Sequence, residues 1–239
     1  MATTESAYVP AATLRLLPVG AHVLAFYDGR DSRIDIAAAT AAGFDGGTLG
    51  LGIASYAIVS GREAIVYDTH VSVPHARKIR AEIEAMGVRD IRVVLSHWHY
   101  DHVAGNAVYA DCEIIAQART RDHLLAHKLE MEAGVGHPPI EPLVLPTTTY
   151  EGALELDVGG VPVVLRHVDI HSDDETMLLL PGERLMLAGD ALEDPITYVA
   201  EPDGLERHLD ELDRLAAFDY ERILPCHGDP AVIAAGGFG

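Results

Sequence analysis

Short runs of alternating or continuous apolar residues, bounded by turn formers, recur along the whole chain. Residues 13–17 and 22–27 form two such runs around Pro18-Val19-Gly20, and predict a pair of strands. A second pair, 56–60 and 64–67, flanks Gly61-Arg62-Glu63 as in a hairpin. Ile79, Ile83 and Met86 then stand at i, i+4 and i+7, with Arg77, Lys78, Glu82 and Glu84 opposite, and Gly87 is placed to stop the helix they predict. The apolar stretch 91–95 reads as a buried strand, 113–116 as another, and 120–132 as a helix; the loop from His137-Pro138-Pro139 cannot be helical.

The second half repeats this order of element types without repeating the residues. Hairpins are predicted at 154–158 with 161–167 and at 176–180 with 184–188, around Gly159-Gly160 and Pro181-Gly182. Leu205, His208, Leu209, Leu212 and Leu215 mark an amphipathic helix, and 222–224 a last strand. Strands followed by helices in each half predict an α/β architecture of two packed sheets with helices outside. The Gly- and Ala-rich segment 28–55 has no period and is expected to be a long loop or lid. With no repeat and no linker, the reading is one domain over residues 1–239.

Composition narrows the function. The chain has 239 residues, 49% apolar and 23% charged, which suits a folded core and excludes intrinsic disorder. Seventeen basic against thirty-seven acidic residues give a net charge of −20, and only Lys78 and Lys128 are lysines. Such a surface lacks the basic footprint that nucleic acid or an anionic membrane requires, so a small-molecule substrate is expected. No apolar run approaches a membrane span, and residues 1–10 carry no secretory pattern. Two cysteines, Cys112 and Cys226, read as free thiols, which predicts the cytoplasm. Oligomeric state is not legible.

Thirteen histidines are the remaining anomaly, and the informative ones cluster. Ser96-His97-Trp98-His99-Tyr100-Asp101-His102 places three histidines and an aspartate in six positions at the end of a predicted strand. Chance places that pattern on the order of 0.003 times in a chain of this composition. His97 and His99, two apart in extended chain, can reach one ion, while Asp101 and His102 face another direction. Further ligands are expected at other strand ends, where His171, Asp190 and His227 each stand just past an apolar strand. Imidazole and carboxylate without thiolate suit Zn²⁺ first, and Fe or Mn next.

This His-x-His-x-Asp-His signature, with the later ligands in order, resembles the metallo-β-lactamase-fold hydrolase superfamily over nearly the whole chain, from about Thr13 to Gly228. The resemblance implies a four-layer αβ/βα sandwich with two Zn²⁺ at one edge. His97, His99 and His171 would bind the first ion; Asp101, His102 and His227 the second; Asp190 would bridge them. Asp68 would orient the ligand loop. The sequence departs from the family at His70, where a glycine is common, and in Ile170-His171-Ser172-Asp173-Asp174, which lacks the usual glycines. A helix that usually follows the last ligand is unaccounted for, since the chain ends soon after His227.

The implied activity is hydrolysis of an ester-like bond (lactone, ester or thioester) by a hydroxide held between the metals, with Asp101 orienting the proton and Tyr198 as oxyanion donor. An acid at Asp190 disfavours a dedicated β-lactamase, and His99 disfavours the redox di-iron relatives. The pocket walls are expected from 28–55 and 134–150, and the scarcity of basic residues disfavours glutathione thioesters. Two alternatives stay open: a mononuclear iron, persulfide-dioxygenase-like enzyme, and a non-catalytic metal-binding module. Other groups have simpler readings. His167 competes with His171 but reads as a strand residue. His123, His127 and His208 read as surface histidines, His70 and His137 as loop residues, Cys226 as a small buried residue, and Asp173-Asp174-Glu175 as a solvated acidic turn.

Overall fold

The structure is a computed structural model and describes residues 8–199 and 202–239. Two sheets lie face to face. The first has seven strands in chain order: β1 (Arg15–Pro18), β2 (Val23–Asp28), β3 (Ile53–Ser60), β4 (Glu63–Tyr67), β5 (Asp90–Val94), β6 (Glu113–Gln117) and β7 (Thr148–Tyr150). β1 to β4 pair antiparallel, and β4 to β7 pair parallel through helical crossovers. The second contains β8 (Ala153–Val158), β9 (Val161–His167), β10 (Thr176–Leu180), β11 (Leu185–Leu187) and β12 (Arg222–Leu224), antiparallel except for the parallel pair β11–β12.

Residue alternation explains the layering. In β4, Ile65 and Tyr67 point into the core between the sheets, while Ala64 and Val66 face the core under the helices. β11 divides the same way: Leu185 and Leu187 face the first sheet, and Met186 packs outward with Leu215 of α6 (Leu205–Leu215). Both sheets are thus apolar on two faces, which gives the helix–sheet–sheet–helix sandwich expected from sequence. On the first sheet's outer face lie α3 (Val73–Ala85), through the fully buried Ala76, Ile79 and Ile83, and α5 (Ala118–Ala133), through Leu124.

Several elements differ from expectation. The supposed loop 28–55 contains α1 (Ile36–Ala41) and α2 (Gly46–Leu51), and β3 begins at Ile53. Asp35 and Asp45 cap these helices, accepting the N–H of Ala38 and Thr48 at 3.0 Å each. Capping and packing outweigh the poor helix propensity of Gly-Gly-Thr-Leu-Gly-Leu. A one-turn helix, α4 (Tyr100–Val103), interrupts the histidine motif, and α7 (Pro230–Ala234) follows His227. In α6 the expected apolar face is only partly buried: His208 and Leu215 are buried, while Leu205, Leu209 and Leu212 are 39–55% exposed. None of the described helices is long and apolar enough to cross a membrane.

Removing the Ile79 side chain should leave a cavity between α3 and the first sheet. Ile79→Ala is expected to cost about 2–5 kcal/mol in denaturant unfolding, and Leu129→Ala, at an 80% exposed position, less than about 0.5 kcal/mol.

Candidate metal centre

The parallel strands deliver their C-terminal ends to one edge, and so do the chemistry-bearing side chains. Asp68 follows β4, His97 follows β5, Asp190 follows β11 and His227 follows β12; His171 lies between β9 and β10. Asp68 ties the first two together. Its Oδ1 accepts the N–H of Ser96 at 2.6 Å, and its Oδ2 stands 2.9 Å from His102 Nδ1. His99 is the N-cap of α4, so the following turn carries Asp101 and His102 back beside His97, ring centroids 4.3 Å apart. The motif therefore works as strand, loop and one helical turn.

Among the described residues, the donor groups at this edge include His97, His99 and His171; Asp101, His102 and His227; His97, His102 and Asp190; and Asp68, His102 and Cys226. Asp190 joins them. Its Oδ2 lies 3.3 Å from His102 Nε2, 3.4 Å from His227 Nε2, 3.6 Å from His171 Nε2 and 3.8 Å from His97 Nε2. Asp101 faces His227 Nε2 at 3.2 Å. Outer contacts fix the rings: His171 Nδ1 donates to the carbonyl of Tyr198 at 2.7 Å, and His227 Nδ1 to that of Gly52 at 2.8 Å. Both rings thereby turn their Nε2 lone pairs inward. Thr48 of α2 approaches Asp101 Oδ2 at 3.2 Å.

Electrostatics test whether divalent cations fit. Burial drives His97 and His171 below the ordinary histidine range and His99 down to about 3, so these imidazoles are neutral near pH 7. His99 Nδ1 sits 2.8 Å from His97 Nε2 and 3.0 Å from His171 Nε2. The proton of His171 is already spent on Tyr198, and a single proton on His99 satisfies only one of its two contacts. The other contact opposes lone pairs, which a cation relieves. His102 and His227 behave oppositely. Burial alone lowers them, but the carboxylates of Asp190 and Asp101 outweigh it and raise both. Buried and without a hydrogen-bond partner are His102 Nε2 and Asp190 Oδ1. The donor set fits two adjacent divalent ions.

The sequence-selected residues fall as follows. His97, His99, Asp101, His102, His171, Asp190 and His227 converge; His167 turns away, its Nε2 2.8 Å from the carbonyl of Asp173. Tyr198 stands at the rim, 69% exposed, and meets His171 through its backbone carbonyl. Cys226 is buried, with Sγ 3.4 Å from Asp68 Oδ2. Two expectations are corrected, those for His208 and for the turn 173–175; His70 lies in a loop as read. His208 is buried, not on the surface. His70 is fully buried and stacks on His75 at 4.6 Å, with φ +68°, the conformation a glycine would take more easily. His75, unremarked in the sequence, joins Asp28 and Ser72. The turn 173–175 is not solvated: Asp174 and Glu175 are both buried, and burial raises Asp174 to about 6. A polar run directly before the buried strand β10 was the available signal.

A cleft of about 330 Å³ opens beside His99 and Asp101, walled by Trp98, Tyr100, Met131 and His137 and by Asp45 and Thr48 of the capped helix. Among the described residues, no lysine or arginine lines it. His123 and His127 stack on Trp98 outside this wall.

The family model described as the metallo-beta-lactamase superfamily matches residues 49–227. The chain belongs to this superfamily. It is 25% identical over 218 residues to a linear primary-alkylsulfatase from Pseudomonas sp. (strain ATCC 19151), covering 70% of this chain and 39% of that protein. It is 29% identical over 145 residues to an atrochrysone carboxyl ACP thioesterase from Passalora fulva, covering 59% and 38%. The chain thus spans about two-fifths of these curated relatives. The fold is shared with the solved metallo-beta-lactamase from Pontibacter korlensis (TM-score 0.67, 13% identity, 90% and 92% covered) and with the DIM-1 metallo-beta-lactamase (0.65, 19%, 90% and 90%).

Zinc returned to chelator-stripped protein should stabilise the fold by mass action. At a hundredfold excess over the dissociation constant the gain is about 2.7 kcal/mol, several degrees in a thermal melt. An unchanged melting temperature would count against cation binding at this edge.

Proposed function

We propose that the protein is a dinuclear metal-dependent hydrolase of small-molecule esters, thioesters or lactones, with zinc as the metal. The reading rests on one observation: a single Asp190 oxygen lies 3.3–3.8 Å from four imidazole nitrogens that belong to two donor groups. A carboxylate so placed can bridge two ions, with His97, His99 and His171 on one side and Asp101, His102 and His227 on the other. Bound divalent ions supply a Lewis acid for the carbonyl oxygen and lower the pKa of water.

The chain's own residues do the rest. Asp190 and Asp101 are placed to hold negative charge that would balance the cations: burial opposes that charge, but His102 and His227 beside them outweigh it and hold both below the ordinary carboxylate range. Asp101, oriented by Thr48, lines the cleft beside the histidines and is placed to accept or orient a proton from the attacking water. Trp98, Met131 and His137 form a mostly apolar wall for the acyl part of a substrate, and the absence of a lysine or arginine disfavours one that carries several negative charges. Relatives named as an alkylsulfatase and as an ACP thioesterase support ester-type chemistry. The Tyr198 hydroxyl, at the rim beside His171, is proposed as the oxyanion donor. Free Cys112 and Cys226 suit a reducing compartment, and we assign the protein to the cytoplasm.

A panel of lactone, thioester, carboxylic ester, alkyl sulfate, phosphodiester and β-lactam substrates, run with and without chelator, tests the proposal. Chelator-sensitive turnover of an ester-type substrate is expected alongside two zinc ions per chain by elemental analysis. His99→Ala should lower both metal content and kcat, the latter by about a hundredfold or more, and Tyr198→Phe should lower kcat by about tenfold with metal content intact. One iron per chain would favour the oxygenase alternative. An inert, fully zinc-loaded protein would favour the binding module.

A further inference from the structure

A serine, a histidine and an aspartate meet at the start of α3 and take no part in the function proposed above. Ser72 is the N-cap of that helix, and His75 lies three residues on, in its first turn. The Ser72 hydroxyl does not cap the helix; its Oγ stands 2.6 Å from His75 Nδ1. On the other side of the ring, His75 Nε2 lies 3.0 Å from Oδ2 of Asp28, the last residue of β2. His75 and Asp28 are both fully buried. Asp28 Oδ1 accepts in turn from the Thr13 hydroxyl and the Gly29 N–H, each at 2.7 Å. His70 stacks parallel on the His75 ring, with centroids 4.6 Å apart, and fixes its plane.

This wiring has a direction. A carboxylate only accepts, so the neutral His75 ring keeps its proton on Nε2 and presents the Nδ1 lone pair to the Ser72 hydroxyl. Burial opposes charge on Asp28, but the hydrogen bonds from His75, Thr13 and Gly29 outweigh it and hold the carboxyl below its ordinary range. Hydroxyl, base and orienting carboxylate therefore stand in the order that activates a serine for acyl transfer. A purely structural tie would need no access from outside, and Ser72 has access. It is 8% exposed and lines a cavity of about 160 Å³ walled by Phe44, Val73, Tyr100, Ala104, Pro139 and Ile140. It also stands at the N-terminus of a thirteen-residue helix, where the dipole favours a developing oxyanion.

We propose that Ser72 is the nucleophile of a second, metal-independent esterase site for short, uncharged acyl groups, with His75 as general base and Asp28 as the residue that positions it. Ser72 Oγ bonds to the ester carbonyl carbon, and its proton passes to His75 Nδ1. The ester C–O bond then breaks, and the departing alkoxide takes that proton. Water attacks the acyl-serine, its proton returns through Nδ1 to Ser72 Oγ, and the free acid leaves. The small apolar cavity admits a short acyl group and excludes a charged one.

The test is labelling of the chelator-treated full chain with methanesulfonyl fluoride, a probe small enough for the cavity, read by intact mass and peptide mapping. Ser72 Oγ should bond to sulfur as fluoride leaves, giving one adduct on Ser72 at least about a hundredfold faster than in urea-unfolded chain. Ser72→Ala should give no adduct in that peptide and should lose most of the chelator-resistant hydrolysis of p-nitrophenyl acetate. Labelling of Ser72 should slow by about a hundredfold or more in His75→Gln and by about tenfold or more in Asp28→Asn. A folded parent in which Ser72 stays unlabelled, or reacts no faster than in the unfolded chain, would overturn the proposal, as would an unchanged rate in His75→Gln. If the His75 and Asp28 variants do not fold, the comparison of folded with unfolded parent decides. The chelator separates this outcome from the metal centre: a Ser72 adduct stands whether or not the chain proves to be a zinc hydrolase, and its absence leaves that reading untouched.

Discussion

Positive charge is what this fold edge lacks and what the rest of it is arranged to accept. Asp68, Asp101, Asp190 and Glu175 meet around five buried or nearly buried imidazoles, and the ion pairs of the centre include no lysine or arginine. In a low-dielectric interior, unpaired carboxylates cost several kcal/mol each. Without cations the protein can reduce that cost by keeping protons on His102 and His227, the two rings whose carboxylate neighbours raise them, and on Glu175, which burial and Asp190 raise. Two divalent ions answer the same demand more completely, since they also separate the opposed lone pairs of His97, His99 and His171.

The two-sheet scaffold makes this crowding possible. Parallel pairing of β4 with β5 and of β11 with β12 aligns four strand ends in register, so residues far apart in sequence arrive at one height. The apolar layers on either side do not yield, because each strand is packed on both faces. Local strain is accepted at the same edge: Asp68, His70 and His171 all adopt positive φ. The capped helix α2 closes the arrangement from outside, touching Asp101 through Thr48, while Gly52, just beyond it, holds His227.

What could be read from the chain follows from how local each signal is. The hairpins at Gly61 and Gly159-Gly160 were legible because alternation and turn chemistry sit within a dozen residues. The His-x-His-x-Asp-His motif was legible because its residues are adjacent, and Asp190 and His227 because each follows a short apolar strand. α1 and α2 were hidden by glycine and alanine, which carry no period, although their Asp caps were visible. Glu175 and His208 were misread for one reason. A polar residue declares nothing about burial until the surface that covers it is known, and that surface comes from β5 and the loop after β11 in one case and from the underside of α6 in the other.

The same reasoning separates the centre from the chemistry it serves. Ligand geometry is set by backbone and buried partners that no substrate touches, so it is common ground for a superfamily whose named members here include an alkylsulfatase, a thioesterase and lactamases. In the proposed reading, choice among substrates would fall to Trp98, Met131 and His137, which come from the ligand loop, the end of α5 and the turn beyond it, together with the cap of α2. Substitutions there can alter the wall of the cleft while Asp68, Gly52 and the Tyr198 carbonyl keep the Nε2 atoms of His102, His227 and His171 where they are.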